Sequence, residues 1–547
     1  MNLLSQLRKK STLFLLAILI VAGFLRFYNL STNPPGIHAD EADSGYNAYS
    51  ILKTGRDFYG NFLPLQIVGF AQNYRTPLST YITIPFVAVF GLAPLSVRMP
   101  TALLGIAFVY LIYLFSKRIF DSEWISIIAA FLAAVNPWAV HISRPYADHI
   151  LALDFVILAL VLVINKSKNY WPYIFSGIFL GLSLFSYHAP KIFLPLFLPF
   201  LLIYLIKKGD VPKKFLLISI LVFVLFYTLV LGSSFFGQGG QEYKNVTAIN
   251  KDVAQKIVDK ERRVTNAPLA ASGIFHNKPL FYFKELARNT GKFISINYLF
   301  LDGESNLTAW VGDRGLFYLV ELPLLLIGLY FLFTKKRQLF WFFFFWFVAA
   351  IIPGAITRDQ MYTYRGIYLL PLMLMIIAFG IYSAFNGVFN KKKTIFIFVL
   401  GAIYLLSIIS YYFHYFYDYP VYSRAWWAAE DHEAINYIIQ NQHKYEKFFS
   451  DGGNDWVLLY AFDTNYDPVL FEKALKNPVK ISNRQFVKID NLYVGSIHPR
   501  KGETLESVFP KNSLYLGRPG QFNDAKPLRE ILSKEDWGTV YKIFEIK

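Results

Sequence analysis

The stretch PLSTYITIPFVAVF, residues 77–90, follows Arg75-Thr76 and precedes a longer apolar run that begins at Met99. A membrane-spanning helix needs roughly 17 to 25 apolar residues, and this stretch is shorter and carries two prolines and two threonines. Whether it crosses decides the side of every later loop. Counted as a crossing, it places Lys117-Arg118 and each cationic connection after it outside. Left in the interface or only dipping into the bilayer, it places all of them inside, where Lys and Arg accumulate. The second reading is the consistent one.

Composition sets the frame for this choice. The chain has 547 residues, 55% of them hydrophobic and 18% aromatic, too apolar for one soluble core and too long for one domain. Its net charge of +17 lies mostly in short connections: residues 8–10, 117–118, 166–168, 207–208, 213–214, 335–337 and 391–393 hold seventeen Lys and Arg, opposed there only by Asp121, Glu123 and Asp210. Spread in this way between apolar runs, the charge signals topology and not a nucleic-acid patch. There is no cysteine, which excludes disulfides, thiolate metal sites and cysteine nucleophiles, and suits a bacterial envelope protein.

With the basic N-terminus inside and Leu13 to Tyr28 read as an uncleaved anchor, the spans are that run, Met99 to Phe115, Trp124 to Val140, Ile150 to Ile164, Trp171 to Ser186, Ile192 to Ile206, Phe215 to Leu231, Leu316 to Phe333, Leu339 to Ile352, Ile367 to Phe385 and Ile395 to Tyr411. This gives about eleven crossings and an outward C-terminus. The outer face then holds residues 31–96, 141–149, 187–191, the long loop 232–315, and 353–365. The tail from residue 414 reads as a small α/β domain, with a helix over Ala428 to Gln442 and strands over Trp456 to Ala461, Asn491 to Gly495 and Thr539 to Ile546. No internal repeat is evident, which speaks against an inverted-repeat transporter.

The polar residues that suit a site all fall on the outer face. His38-Ala-Asp-Glu-Ala-Asp43 follows the breaker Pro34-Pro35-Gly36. On a helix starting there, Asp40, Asp43 and Asn47 share one side and Glu41 turns about 100° away. On spacing alone Asp40 reads first as a helix N-cap, with Asp43 three positions on, and only second as a catalytic carboxylate. Arg75 precedes the interfacial segment, where a guanidinium either holds a phosphate or snorkels. Arg144, Asp148 and His149 close the second outer loop, His188 and Lys191 occupy a short turn, and Arg358 and Arg365 bracket another. Glu321 lies near the outer end of a span, at a depth where it could pair with an outer Arg; Asp154 lies deeper and has no assigned role.

These residues resemble the GT-C membrane glycosyltransferases, in particular the protein mannosyltransferase and aminoarabinose transferase group. The resemblance rests on Asp40-Glu41, on Arg75-Thr76-Pro77, on Gly91 to Leu103 (GLAPLSVRMPTAL), on Asn136-Pro137-Trp138 to Ser143-Arg144 with Asp148, and on Arg365-Gly366-Ile367-Tyr368. It implies a polytopic α-helical membrane domain over residues 1–413, with about 11 to 13 transmembrane helices and juxtamembrane helices in a catalytic first outer loop, 31–96. A small extracytoplasmic α/β domain over 414–547 completes the chain.

The resemblance further implies a polyprenyl-phosphate-linked sugar donor and a lipid, glycan or protein acceptor, with Asp40 as general base beside Glu41. Arg75 and Lys191 would hold the lipid phosphate, Asp148 would position acceptor or sugar, and Arg144, His188, Glu321 and Arg365 would complete substrate binding. The chemistry suits these residue types: a carboxylate takes the proton of a weak hydroxyl nucleophile, and fixed cations stabilise a departing phosphate. A single base with direct displacement inverts the anomeric centre, whereas retention needs a second carboxylate, for which Asp43 is the candidate. No HxxE or aspartate-rich motif assigns a metal, and a divalent cation stays an open alternative. The expected setting is the cell membrane, multi-pass, with membrane lipids but no nucleic acid as partners, and with active site and C-terminus extracytoplasmic. The competing readings are a transporter of a lipid or anionic solute, which would carry its charges nearer the bilayer midplane, and a polysaccharide ligase or polymerase.

Overall fold

The computed structural model describes residues 3–70, 74–236, 251–357, 362–389, 392–453, 455–500 and 502–547; Arg358 and residues 237–250 of the long loop lie outside them. The chain separates into two compact units, one of residues 1–28, 102–143 and 147–412, the other of 29–101, 144–146 and 413–547. The last break between the two units falls between residues 412 and 413. The first outer loop, however, shares a unit with the C-terminal segment and not with the helices that flank it in sequence.

The first unit is helical, and each of the eleven apolar runs lies on a helix. Six helices among the described residues are long and apolar enough to cross a bilayer: Pro94–Phe120, Pro190–Lys208, Lys213–Gly232, Arg337–Ala355, Leu369–Val388 and Lys393–Tyr422. Three of the other runs form helices shorter than the runs themselves. Trp124 to Val140 divides into helices Glu123–Val135 and Pro137–His141, with Asn136 between them accepting a hydrogen bond from the Ala139 N–H. Leu316 to Phe333 becomes helical only at Glu321. The chain is a multi-pass membrane protein, and its surface shows it: Leu217, Leu221, Leu225 and Leu229 form an exposed stripe along Lys213–Phe236, where a water-facing helix would carry charge. Inside the unit Gly177 and Gly181 let helix Trp171–Leu184 approach Lys213–Phe236; a Cβ on Gly177 would lie 2.6 Å from the Ser219 carbonyl oxygen, and one on Gly181 would run into the Phe226 ring. Small residues four apart are the usual means of close helix contact in lipid.

In the second unit, helix Ala39–Thr54 packs beside helix Leu78–Phe90, with Ser44 Oγ 3.5 Å from Thr80 Oγ1. The latter helix is inside out. Ser79, Thr80 and Thr83 are buried, while Val89 is 74% and Phe90 50% exposed. Polar residues facing protein and apolar residues facing outward suit the interfacial placement that charge counting required.

The C-terminal segment forms a seven-stranded mixed sheet. Two short strands come earlier in the chain, β1 (Ile67–Val68) and β2 (Tyr74–Arg75); the sheet strands are β3 (Lys447–Ser450), β4 (Val479–Ile481), β5 (Arg484–Ile489), β6 (Leu492–Val494), β7 (Ser513–Gly517), β8 (Arg529–Leu532) and β9 (Thr539–Ile546). Their order is β4-β5-β6-β3-β7-β9-β8, with β3 parallel to both neighbours and the remaining pairs antiparallel. Helix Ala429–Asn441 and strands β6 and β9 match the sequence reading. Trp456 to Ala461, expected as a strand, lies on helix Asp455–Asp463. Every residue from Trp456 to Phe462 is buried, and a short apolar run buried on all sides carries no periodicity to tell strand from helix. One core joins this domain to the first outer loop, with Ala42, Tyr46, Ala48 and Phe58 packed among Ile435, Trp456, Leu459, Phe462 and Phe471.

Candidate active site

Helix Ala39–Thr54 begins with an unusual cap. His38 Nδ1 accepts a hydrogen bond from the Asp40 backbone N–H at 3.2 Å, and the Glu41 side chain accepts from the His38 N–H at 3.3 Å, closing a capping box. Asp40 is therefore not the cap. It stands in the first turn with its carboxylate unspent on the backbone, where the positive end of the helix favours its charge.

The turn is bolted down by a buried ion pair. Arg98 and Glu41 are fully buried, and Arg98 Nε and NH2 each donate to Glu41 at 2.8 Å. The remaining guanidinium hydrogens reach the carbonyls of Leu30 (3.2 Å), Pro34 (2.9 Å) and Gly36 (2.7 Å). A guanidinium offers five N–H donors, and here all have acceptors. Glu41, expected as a catalytic partner of Asp40, has both oxygens taken by Arg98 and no solvent access. Its position, about 100° round the helix from Asp40, is what directs it into the protein. Gly36 is held close to the C-terminal segment, since a Cβ there would collide with the Trp427 carbonyl.

Asp40, Asp43 and Arg75 meet on the opposite side of the helix. Arg75, on β2, is placed by pairing with Ile67 on β1. Its NH2 contacts the Asp40 carboxylate, its NH1 donates to the Asp40 carbonyl at 3.4 Å, and its Nε lies 3.2 Å from Asp43 Oδ2. Asp43 is also fixed by the Phe70 N–H at 2.9 Å and Asn47 Nδ2 at 2.7 Å, and only 2% of its side chain is exposed, against 31% for Asp40. The two carboxyls are driven apart electrostatically. Burial would raise Asp40, but the charges of Arg75 and His38, with hydrogen bonds from Arg75 and Tyr146, outweigh it and bring Asp40 down to about 2. Burial raises Asp43 above the ordinary carboxylate range against the opposing pull of Arg75, and the charge of Asp40 adds to the rise. Among neighbouring carboxyls such a split marks out different roles.

Arg144 belongs to the same unit but is used differently. It is fully buried, donates to the Asn33 carbonyl at 2.7 Å and stacks near Tyr415 and Phe416, 5.7 and 5.3 Å from their centroids. The other expected residues lie in the helical unit. Asp148 and His149 open helix Asp148–Val163, and His149 stacks on Tyr364 at 4.2 Å. Lys191 Nζ lies 3.2 Å from His188 Nδ1 in the short turn. Glu321 does not meet an outer Arg: its carboxylate accepts from the Tyr318 N–H at 2.9 Å and the Tyr404 hydroxyl at 3.1 Å, at the start of its own helix. Asp154 is 5% exposed within its helix. Arg365 ends the short helix Tyr362–Arg365, which Glu304 holds by accepting from the N–H groups of Tyr362 (3.0 Å) and Thr363 (2.9 Å) and from the Thr363 hydroxyl. Burial raises Glu304 to about 7 against those hydrogen bonds and the nearby Lys292.

Four residues escaped the sequence reading, three of them around Asp40 and the fourth, Glu304, in the helical unit. His38 is not among the favoured cap residues. Tyr146 is a single aromatic in a loop, yet it reaches Asp40. Asp455, from the C-terminal domain, feels the charges of His38, Asp40, Asp431 and Arg75. Glu304 sits in a long loop with no local pattern. The readable signal was Arg98, inside the SVRMPTAL segment: a cation next to an apolar span calls for a partner. Among the described residues no group of three or more His, Asp or Glu side chains is placed to hold a metal ion.

Residues 74–231 match the family described as dolichyl-phosphate-mannose-protein mannosyltransferase. Over 168 residues the chain is 29% identical to the "Putative mannosyltransferase YkcB" of Bacillus subtilis; the match covers 30% of this chain and 22%, about a fifth, of that protein. The fold is similar to the crystal structure of ArnT from Cupriavidus metallidurans in the apo state, at a TM-score of 0.52 and 10% identity, over 98% of each chain. The Archaeoglobus fulgidus oligosaccharyltransferase AglB, in complex with an inhibitory peptide and a dolichol-phosphate, aligns at a TM-score of 0.49 and 14% identity over 82% of this chain and 63% of that one. The resemblance to the GT-C glycosyltransferases is thus found again in the family match to the first part of the chain and in an ArnT-like fold.

Proposed function

We propose that the protein is a membrane glycosyltransferase that moves a sugar from a polyprenyl-phosphate donor to a hydroxyl acceptor on the extracytoplasmic face, with inversion and with Asp40 as general base. The observation that carries this reading is the pairing of a part-exposed carboxylate with a guanidinium on a rigid, buried frame. The family match to the mannosyltransferases supports the donor class.

The pairing suggests an order of events. A carboxylate with a pKa of about 2 is a poor base, because general-base efficiency falls as pKa drops away from the working pH. An arriving donor phosphate competes with Asp40 for Arg75, as charge-assisted pairs with phosphate are among the strongest a guanidinium makes. When Arg75 turns to the phosphate, Asp40 loses the contact that held its pKa down and becomes able to take the acceptor's proton. The acceptor oxygen attacks the anomeric carbon, the bond to the phosphate oxygen breaks, and Arg75 stabilises the charge left on the lipid phosphate. Asp43, with both oxygens engaged, is poorly suited to act as a covalent nucleophile, which favours inversion. Glu41 and Arg98 serve as positioning residues. Roles for Asp148, His188, Lys191 and Arg365 rest on the sequence resemblance alone.

The test is purified protein given a panel of radiolabelled polyprenyl-phosphate sugars with a crude envelope acceptor. Transfer or hydrolysis from one donor, lost in Asp40→Asn, supports the reading; no turnover of any lipid-phosphate sugar overturns it.

A further inference from the structure

Apart from the catalytic cluster, the second unit has an open cleft of about 380 Å³ with Gly36 at its floor, within the size range of small-ligand sites. One wall is helix Ala429–Asn441. Its opposite face, Ala434, Ile435 and Ile438, is fully buried in the core. The face toward the cleft carries His432, Asn436 and Gln440 at four-residue spacing, with Glu433 and Tyr437 alongside. Arg424 and Arg529 line the cleft as well.

Two properties define what fits. The first is charge balance. Arg424 pairs with Glu430 at 2.7 Å and Glu433 at 3.6 Å, Arg529 approaches Glu433 at 4.0 Å, and His432 pairs with Asp463 at 2.6 Å. Each cation has its carboxylate, so the cleft holds no unmatched charge for an anion. The second is an excess of hydrogen-bonding capacity. The exposed Asn436 and Gln440 carboxamides line the cleft one helical turn apart, and each offers donors and an acceptor side by side. Beside them the Arg529 guanidinium lies over the Tyr437 ring, 5.2 Å from its centroid, and this cation–π contact makes the guanidinium plane, with its N–H groups, the flat surface there.

We infer that this cleft binds an uncharged, hydroxyl-rich glycan. Hydroxyls that donate and accept match carboxamides, and the C–H faces of a sugar ring suit a planar wall. On the reading of the previous subsection, this glycan is the acceptor beyond its reacting hydroxyl. The cleft is coupled to the catalytic turn, because His432 Nε2 lies 3.2 Å from the carbonyl of Ile37, next to the capping residue His38.

The test uses the full chain in detergent carrying Asp40→Asn, so that no transfer occurs, on an array of neutral gluco-, manno- and galacto-oligosaccharides and uronate-containing ones, with hits titrated by calorimetry. The expected result is binding to a neutral oligosaccharide that weakens about tenfold or more in Asn436→Ala/Gln440→Ala, as loss of one or two hydrogen bonds gives, with the melting temperature unchanged. Absence of any neutral ligand, exclusive binding of uronates, or affinity indifferent to the double substitution overturns the assignment. Sugar transfer by Asp40→Asn would instead overturn the catalytic reading and leave the cleft untouched, since binding is measured without turnover.

Discussion

Arg75 holds the carboxylate of Asp40 across 35 residues of sequence and at the same time reaches Asp43 one helical turn on. The same contact that stabilises the Asp40 anion makes it a weak base, and on the proposed function a competing anion at Arg75 is what frees it to act.

Replacing Arg75 with Gln therefore has a signed consequence. It removes the strongest of the influences that bring Asp40 from 3.8 down to about 2 and leaves only His38 and Tyr146 to oppose burial, so the acidic limb of the kcat/KM profile moves to higher pH. KM for the lipid donor rises more than KM for the acceptor. A pH profile with an unmoved acidic limb counts against the pairing, and equal KM effects count against phosphate binding.

The buried pair of Arg98 and Glu41 predicts a stability cycle. Arg98→Met leaves Glu41 charged and unpartnered, which costs about 3–5 kcal/mol, whereas Arg98→Met/Glu41→Met recovers much of that loss. Unfolding of the two variants and the unmodified chain in detergent measures it; a double variant as unstable as the single would mean that Arg98 acts mainly through its three carbonyl contacts.

Glu304 sets a pH dependence. Its carboxyl is raised from 4.5 to about 7, chiefly by burial, so the folded state prefers the protonated form. The stabilisation it gives is complete below about pH 4.5 and is lost as pH rises through about 7. Glu304→Gln flattens the melting temperature against pH across that window; an unchanged slope assigns the dependence to other groups.

The stereochemical expectation is direct. With Asp43 saturated by Asn47, Phe70 and Arg75, the product anomer is inverted relative to the donor, and Asp43→Asn slows transfer without altering the anomer. Proton NMR of the first-formed product reads this. A retained anomer would require a second nucleophile.

What the sequence made legible follows from how far its signals reach. Apolar run length is local, so each expected span lies on a helix, while the break at Asn136-Pro137 divided one of them. Charge counting is global, and it kept segment 77–90 out of the crossings; the contact of Arg75 with Asp40 is made by tertiary structure, through the pairing of β2 with β1. The packing of Ala42 and Tyr46 against Ile435 and Phe471 joins segments about 400 residues apart and leaves no local trace. The helical state of Trp456 to Phe462 and the partners of Glu321 were likewise decided by tertiary surroundings. Glu41 illustrates the limit of a motif: adjacency to Asp40 suggested shared chemistry, and helical geometry gave it a structural task.

The central claim is that Asp40 takes the acceptor's proton, and the most direct measurement is single-turnover sugar transfer by Asp40→Asn, compared with the unmodified chain at matched folding and donor occupancy. A general base contributes about 10²- to 10⁴-fold, so the account predicts transfer slowed by about that factor or more while the donor still binds through Arg75. Transfer at an undiminished rate in a folded, donor-loaded Asp40→Asn protein would contradict it.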